Sequence, residues 1–554
     1  MNKDIAFIDT QKQPTVAGFP TKPPANHQRV NAEASPSWHD RLVEGGLILS
    51  MALYYVLGNP NVHIGHFSFT FSVFHNSLAS LPFLLIFAVL CWYRLPFAVA
   101  LLPLSLPYYL QQKVVFSHYE FSLVEITLVT CVLVALLQIL VQRRQWPYWT
   151  SLRQLRNRLG PFAVPMLLFF CIAAFSILIA YRHDLALRAF REEVFDPLVY
   201  VLLALLCLRT RQDVTRLIAA MIATGLVISG LGLVQIAFFK NTLQLENGVR
   251  RISAVYGSAN SIGLLFDYIL PIGFALLFAK VSLRLRLVVL LCCLPMLAVL
   301  YLTQSLGAWV AIALALLFVV TFSIHDRKLL LTGGAILVVV LLAGTFLFRT
   351  QITNVFTEHH TSVSAKGVQT VSTVTKRIYL WESALRMIHD SPWVGYGMDN
   401  WLCHYSQNTI CSTPYHYWIE QDPVTHQDTG LRYEPFLSHP HNIFLHVWVS
   451  IGVFGLLAFI AILVLFFWLF SRIIRRLDAN VYKGSEYLRW LTVGVGAAMF
   501  AALVQGQVDS AFLEQDLSFC FWILVTALLL LRIHAETSWR SQPRLSTRNM
   551  KSEP

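Results

Sequence analysis

Two neighbouring arginines precede a short turn and a long apolar run in the segment 249–263. Arg250 and Arg251 come first, and Asn260 then opens the apolar run that follows the turn. Because arginine donates paired hydrogen bonds and the first amides of a helix donate more, this segment predicts a site for an anion. The alternative is that the arginines only anchor a membrane helix at the interface.

A second arginine lies near the start of an amphipathic pattern in the segment 375–397. Apolar residues, Trp381 among them, recur there at spacings of three and four until Asp390, Ser391 and Pro392 end the pattern. This pattern predicts a helix that lies against the membrane face and presents Arg377 at its start. The alternative is a solvated arginine on an ordinary helix.

A third segment places a histidine and an asparagine directly before a long apolar run. His441 and Asn442 are followed by Gly452 and Gly455, which in a continuous helix lie near the face that carries His441. Small residues let a neighbouring helix pack closely, so we predict that a close helix pair holds His441 rigidly. The alternative is a histidine that only reaches the membrane interface.

The sequence predicts no metal ion and no other cofactor. His439, His441 and His446 offer imidazoles, but no Cys, Asp or Glu completes a recognised ligand spacing with them. Two of the nine cysteines, Cys403 and Cys411, lie outside the apolar runs and close to one another. A disulfide between them is plausible in an oxidising exterior, and the sequence leaves this open.

The elements that must position these residues are membrane helices. The 554 residues are 56% hydrophobic and only 13% charged, whereas soluble domains are about half apolar and about a quarter charged. Many apolar runs approach the roughly 20 residues that cross a bilayer, and such spans must be helical. The candidate spans are 43–58, 79–93, 95–111, 121–141, 161–181, 194–208, 213–239, 259–279, 284–303, 305–324, 329–349, 441–470, 488–507 and 515–533.

These spans predict an all-α polytopic membrane helix bundle of about 12–14 transmembrane helices. The net charge of +12 comes from Lys and Arg in alternate loops, which is the positive-inside pattern and does not indicate a nucleic-acid partner. The expected organisation is a disordered cytoplasmic tail (1–42), helices 1–11 (43–349), a large external loop with an amphipathic helix (350–440), helices 12–14 (441–533) and a cytoplasmic tail (534–554).

The third segment resembles the signature of the O-antigen ligase superfamily, which is His-Asn, nine residues and Gly-x-x-Gly. This superfamily also holds Wzy-type polymerases and bacterial O-linked oligosaccharyltransferases. RISAVYGSAN and RIYLWESALRMIHDSPWVGYG resemble the two arginine elements of the family, and 191–203, 305–309 and 506–522 are weaker similarities. The chain departs from the family at Ala254, where a glycine is usual, and at Leu306, where an arginine is frequent.

The resemblance implies a glycosyltransferase of the bacterial inner membrane with an undecaprenyl-pyrophosphate-linked glycan as its donor. The acceptor would be lipid A–core for a ligase, another lipid-linked glycan for a polymerase, or a protein hydroxyl for an oligosaccharyltransferase. Since charge builds on the departing pyrophosphate, a positive group must stabilise it at the external face. The resemblance implies that arginines do this without a metal.

Roles for individual residues follow from that expected reaction. Arg251 and Arg377 bind the pyrophosphate, and Arg250 is a further candidate. His441 either accepts the proton of the acceptor hydroxyl or donates to the donor lipid. Asn260, Asn442, Trp381 and Asp509 are expected to bind or orient substrate, while Gly452, Gly455, Cys403 and Cys411 are expected to be structural.

A transporter of lipid-linked glycans is the alternative from a different class of protein. Transporters usually show repeated halves and ionisable residues near the membrane midplane. This sequence has no detectable repeat, and its polar segments gather at one predicted membrane face. A non-catalytic scaffold would give no reason for three segments with Arg or His on one side.

Overall fold

The structure is a computed structural model that describes most of the chain. The described residues are 37–58, 61–64, 67–70, 80–108, 113–115, 119–246, 249–323, 360–364, 367–371, 373–405, 411, 437–479 and 485–540. A first unit, Met1–Leu42, contributes only residues 37–42, where the side chains of Ser37 and Asp40 each accept the backbone N–H of the other. The second unit, Val43–Pro554, contains all of the elements that position the candidate site.

The described residues in the first half of the chain are mainly helical. Its α-helices are α1 (Trp38–Gly58), α2 (Leu81–Leu101), α3 (Leu123–Gln142), α4 (Trp149–Arg153), α5 (Leu155–Leu159), α6 (Ala163–Ile179), α7 (His183–Ala189), α8 (Asp196–Cys207), α9 (Arg211–Phe238) and α10 (Ala259–Phe278). Short 3-10 turns occupy Leu102–Tyr108, Arg143–Gln145, Gly160–Phe162 and Lys240–Thr242, and a π-helical segment, Phe190–Phe195, joins α7 to α8.

The second half adds α11 (Leu283–Leu302), α12 (Leu306–Ser323), α13 (Thr373–Asp390), α14 (Trp401–Tyr405), α15 (Ile443–Ala479), α16 (Ser485–Gln505) and α17 (Gln515–Arg540). The described strands form four antiparallel two-stranded hairpins: β1 (Asn61–Ile64) with β2 (Phe67–Thr70), β3 (Lys113–Val115) with β4 (Tyr119–Phe121), β5 (Gln244–Glu246) with β6 (Val249–Arg251), and β7 (His360–Ser364) with β8 (Gly367–Val371).

Ten helical runs in the described part are long and apolar enough to cross a membrane, which confirms the all-α membrane bundle. They are Leu81–Pro107, Leu123–Gln142, Leu155–Ile179, Arg211–Phe238, Ala259–Phe278, Leu283–Leu302, Leu306–Ser323, Ile443–Asp478, Glu486–Gln505 and Gln515–Glu536. Of these, α10 and α17 are the most deeply buried. The bundle is therefore built around two helices that lipid hardly touches.

The predicted spans 79–93 and 95–111 form one run, Leu81–Pro107, that is kinked at the point where the prediction divided it. The kink lies at Arg94, whose φ and ψ are −138° and 50°, just before Pro96. Arg94 is accommodated inside the run because its guanidinium pairs with Glu44 at 2.6 Å. The proline has no N–H for the carbonyl of Trp92 four residues earlier, and Gln138 Nε2 donates to that carbonyl instead at 2.8 Å.

Other predicted boundaries also shift. Helix α1 begins at Trp38, inside the predicted disordered tail, and neither it nor the region of the predicted span 194–208 is among the ten long apolar runs. In that second region α8 has only 12 residues, which continue the helical path of α7 and the π-helical segment. The predicted span 329–349, the tail before residue 37 and the tail after residue 540 lie outside the described residues.

Gln138 gives a direct test of the kink. Replacing Gln138 with leucine is expected to destabilise the protein by about 1–2 kcal/mol, because the Trp92 carbonyl loses its donor and Trp146 Nε1 loses its acceptor. The measurement is the thermal unfolding midpoint of the detergent-solubilised protein. Leu137→Ala, at an exposed neighbouring position, is the matched control and should change the midpoint little. Equal midpoints for the two variants would contradict this account of the kink.

Candidate functional site

His441 and Asp509 form a short hydrogen bond at one end of the bundle. This end, called the site end below, is formed by the first residues of α10, α15 and α17 and the last residues of α16. The Nδ1 atom of His441 lies 2.6 Å from Oδ1 of Asp509, and the same oxygen accepts the backbone N–H of Ser510 at 2.9 Å. Burial alone would raise the pKa of Asp509, but the charges of His441 and Arg377 hold that pKa well below its ordinary value.

This contact determines which nitrogen of His441 can accept a proton. An ionised Asp509 accepts only, so the proton between the two groups belongs on Nδ1 of the imidazole. The second nitrogen, Nε2, then carries the lone pair. The arrangement is that of a general base oriented by a carboxylate.

His441 itself is not helical, which overturns the prediction that it shares a helix face with the glycines. It stands two residues before α15, with a φ of 49°. Asn442 caps that helix, because its Oδ1 accepts the backbone N–H groups of Phe444 and Leu445 at 3.0 Å. Its Nδ2 donates to the carbonyl of Gln507 at 3.0 Å, which ties α15 to the turn that carries Asp509.

Gly452 does permit a close approach, but the partner is a loop and not a helix. Helix α15 is kinked at Ile451 and Gly452, where Gly452 has a φ of 70°. The loop 392–397 crosses the kink so tightly that a Cβ on Gly452 would collide with the carbonyl of Trp393. Gly455 lies on the inner side of the kink, where a Cβ would collide with the side chain of Ile451.

The crossing is held by main-chain hydrogen bonds. The carbonyls of Val449 and Ser450 accept the backbone N–H groups of Tyr396 at 2.8 Å and Gly397 at 2.9 Å. In the other direction, the carbonyl of Pro392 accepts the backbone N–H of Val453 at 3.0 Å. The kink frees helical carbonyls, and the loop uses them.

Helix α13 carries Arg377 to the same end. It ends at Asp390, as the sequence predicted, and it buries Leu380, Ala384, Met387 and Ile388. On the same helix, the indole Nε1 of Trp381 donates to the carbonyl of His441 at 3.3 Å. The charge of Arg377, one turn earlier, acts on both Asp509 and His439. Leu385, four residues after Trp381, is 53% exposed, so the buried face of α13 is narrow.

Arg251 is buried at the start of a neighbouring segment. Its Nε donates to the carbonyl of Thr303, and its Nη2 donates to Oδ1 of Asn260, both at 2.6 Å. Both of these acceptors are uncharged, and they fix the orientation of the guanidinium. Asn260 lies in the first turn of α10 and thus positions Arg251, while Arg250 is exposed.

The end of α16 lies beside both the segment that carries Asn260 and the turn that carries His441. A Cβ on Gly263, one turn after Asn260, would lie 3.6 Å from Nε2 of Gln505, the last residue of α16. The carbonyl of Gly506, the next residue, accepts the backbone N–H of Ile443 at 2.7 Å. The structure therefore places Arg251, Arg377 and His441 at one end of the bundle.

Two histidines and a glutamate complete this end, and the sequence interpretation gave them no role. Nδ1 of His439 accepts the backbone N–H of His441 at 3.3 Å, and its Nε2 lies 3.5 Å from Glu514. His446 Nδ1 contacts the hydroxyl of Ser510 at 2.7 Å. Burial and the neighbouring imidazoles keep the pKa of His439 well below its ordinary value. The repeated histidines were visible in the sequence, but only as metal ligands without a partner.

The structure places a carboxylate beside the histidines, where the sequence showed no further metal ligand. One ligand atom each of His439, His441 and Asp509 lies within 4.8 Å of the others, so these three groups could hold a metal ion. Asp509 is 68 residues from His441, and no local ligand spacing could have found it. The prediction of no metal stays a prediction.

Left-handed backbone is concentrated at the site end. Three of the five described non-glycine residues with positive φ belong to the segments that carry or bind the site residues: Ala254, Gln304 and His441. Ala254 has a φ of 49°, a conformation that glycine adopts at least cost, which explains physically why a glycine is usual there in the resembling family. Strained backbone of this kind is frequent where function fixes a conformation.

Cys403 and Cys411 are joined by a disulfide, with Cα atoms 5.0 Å apart. The bond closes a segment next to α14, whose Trp401 donates from Nε1 to the carbonyl of Leu437 at 3.0 Å. Both cysteines are buried. This part of the chain thus connects α13 with the turn that leads to His441.

Residues 291–460 match the family model Wzy_C, described as O-Antigen ligase. The match confirms the resemblance to the O-antigen ligase and polymerase superfamily and supports a function of that broad type. The matched stretch holds Arg377, Trp381 and His441, while Arg251 and Asp509 lie outside it. A search of curated proteins finds no match.

Gln304 tests the left-handed backbone without touching the charged groups. It follows α11 with a φ of 54°, next to the carbonyl that holds Arg251. Gln304→Gly is expected to be more stable than Gln304→Ala by about 1 kcal/mol, because both lose the side chain and only glycine relieves the left-handed strain. Thermal unfolding midpoints of the two variants give the comparison. A glycine variant that is no more stable than the alanine variant would show that this residue is not strained.

Proposed function

We propose that this chain is an O-antigen ligase-type glycosyltransferase that moves a glycan from undecaprenyl pyrophosphate to an acceptor hydroxyl at the external face of the inner membrane. The observation that carries the proposal is the oriented His441–Asp509 pair, with Arg377 and Arg251 at the same end of the bundle. A base and two guanidinium groups are what the two halves of this reaction need.

His441 acts on the acceptor hydroxyl. Its Nε2 takes the proton of the acceptor hydroxyl as that oxygen attacks the anomeric carbon of the donor sugar. The carboxylate of Asp509 stabilises the imidazolium that forms and keeps the ring oriented. Of the two roles open for His441, the geometry therefore favours the base over a donor to the lipid.

The arginines stabilise the leaving group. As the sugar–phosphate bond breaks, the bonding electrons pass to the undecaprenyl pyrophosphate, whose oxygens gain negative charge. Guanidinium stays charged and binds phosphate oxygens in pairs, so Arg377 and Arg251 suit this task better than lysines would. Arg251 is already oriented by neutral acceptors, which lowers the cost of ordering it on binding.

Removing the charged groups one at a time tests this assignment. Arg377→Ala, Arg251→Ala and His441→Ala are each expected to lower turnover at least about 100-fold, because each removes transition-state stabilisation or the base. The assay uses purified protein with a lipid-linked glycan donor and lipid A–core, and it measures released undecaprenyl pyrophosphate together with glycosylated acceptor. Arg386→Ala, an exposed arginine on the same helix as Arg377, is the matched control and should stay near wild-type activity.

The same assay separates the competing functions. Full activity in any two of the three variants would refute the site. Extension of one lipid-linked glycan by another would identify a polymerase, and transfer to a protein hydroxyl an oligosaccharyltransferase. Movement of intact donor across a liposome without release of undecaprenyl pyrophosphate would identify a transporter.

Chelation tests whether arginine charge alone stabilises the leaving group. Turnover in excess EDTA is expected to equal turnover in Mg²⁺, because in this proposal the guanidinium groups neutralise the pyrophosphate. The purified wild-type enzyme with matched ionic strength is the right sample, since exposed charges are screened by salt. Loss of activity in EDTA that Mg²⁺ or Zn²⁺ restores would instead assign His439, His441 and Asp509 to a metal.

A further inference from the structure

The backbone of His441 is held in a conformation that histidine rarely adopts by itself. Its φ of 49° lies in the left-handed region, which is unfavourable for an L-residue. The conformation is nevertheless the one in which the imidazole meets Asp509 at 2.6 Å. Something in the surroundings must stabilise this peptide, or the ring would turn away from the carboxylate.

Two side chains bind the main-chain groups of His441. Its N–H donates to Nδ1 of His439 at 3.3 Å, and its carbonyl accepts Nε1 of Trp381 at 3.3 Å. One of these residues comes from the same turn and the other from α13. The polar atoms on both sides of the residue are therefore bound by groups from two different elements.

The hydrogen bond from His441 also fixes the proton of His439. Because Nδ1 accepts a backbone N–H, it carries the lone pair, and the ring proton belongs on Nε2, which lies 3.5 Å from Glu514 Oε1. His439 is 8% exposed. With Nδ1 occupied and Nε2 protonated, its ring has no nitrogen available to act as a second base.

We propose that His439 and Trp381 are positioning residues that hold the His441 peptide in its left-handed conformation and so keep the imidazole on Asp509. The inference rests on His441 acting as the base in the proposed function. In this role Trp381 binds the backbone of His441, whereas the sequence predicted that Trp381 contacts substrate. It also gives α13 two tasks, since the same helix carries Arg377.

Variants of His439 separate a positioning role from a chemical one. Asparagine places Oδ1 where histidine has Nδ1, so His439→Asn keeps the acceptor for the His441 N–H, whereas His439→Leu removes it. The leucine variant is expected to lose about 10–100-fold in kcat with KM for donor and acceptor almost unchanged, because only the orientation of the base is lost. The asparagine variant should stay within about threefold of wild type.

A variant of Trp381 tests the second contact to the His441 peptide independently. Trp381→Phe keeps the ring but removes the Nε1 donor, and it is expected to lower kcat in the same range. Since both contacts hold one peptide, the double variant with His439→Leu should lose less than the product of the two single losses. His389→Leu, an exposed histidine of α13, is the control.

The outcomes distinguish this inference from the proposed function. Wild-type activity in both His439→Leu and Trp381→Phe, with His441→Ala inactive, would overturn the positioning role alone. An asparagine variant as inactive as the leucine variant would also overturn it, because the ring of His439 would then act chemically. An active His441→Ala would overturn both. Thermal unfolding of each variant shows which losses reflect misfolding, and the conservative His439→Asn and Trp381→Phe changes keep the test decisive if His439→Leu does not fold.

Discussion

The hydrogen bond between His441 and Asp509 is the contact on which the site end depends. It joins the turn before α15 to the turn between α16 and α17, so two turns at the same end of the bundle are joined by side chains from segments far apart in sequence. A buried carboxylate is costly unless it is paired and hydrogen-bonded. Asp509 meets this requirement with an imidazole, a backbone N–H and the nearby charge of Arg377. The burial of Asp509 therefore favours its pairing with His441.

Much of the helical scaffold follows from the sequence, because lipid leaves a chain few alternatives. Apolar runs of about 20 residues predicted nine of the ten long runs with nearly the bounds that the structure shows. The helix that begins near Arg377 ends at Asp390, as its polar residues predicted. The division predicted at Arg94 falls at the kink, whereas the pairing of Arg94 with Glu44 inside the run was not predicted. Local composition cannot show a partner 50 residues away.

The candidate site was predictable in its residue types but not in its geometry. Arg251, Arg377 and His441 were found because charged and imidazole groups beside apolar runs are unusual, whereas the orienting role of Asp509 was missed because it comes from a distant segment. The helix-face argument for His441 failed at two points: the residue precedes α15, and that helix is kinked at Gly452. Periodicity assumes continuous helical backbone, and here the functional position is where that backbone is interrupted. The glycine usual at Ala254 in the family is understood only once its φ is known.

The loop 392–397 is attached to α15 through main-chain atoms on both sides of the kink. Backbone groups are the same in every residue except proline, so the side chains of this loop can change during evolution without loosening the attachment, provided that Gly395 and Gly452 keep the space for it. Related proteins could in this way vary the exposed surface of this loop while the helix carrying Arg377 stays in register with the turn that carries His441.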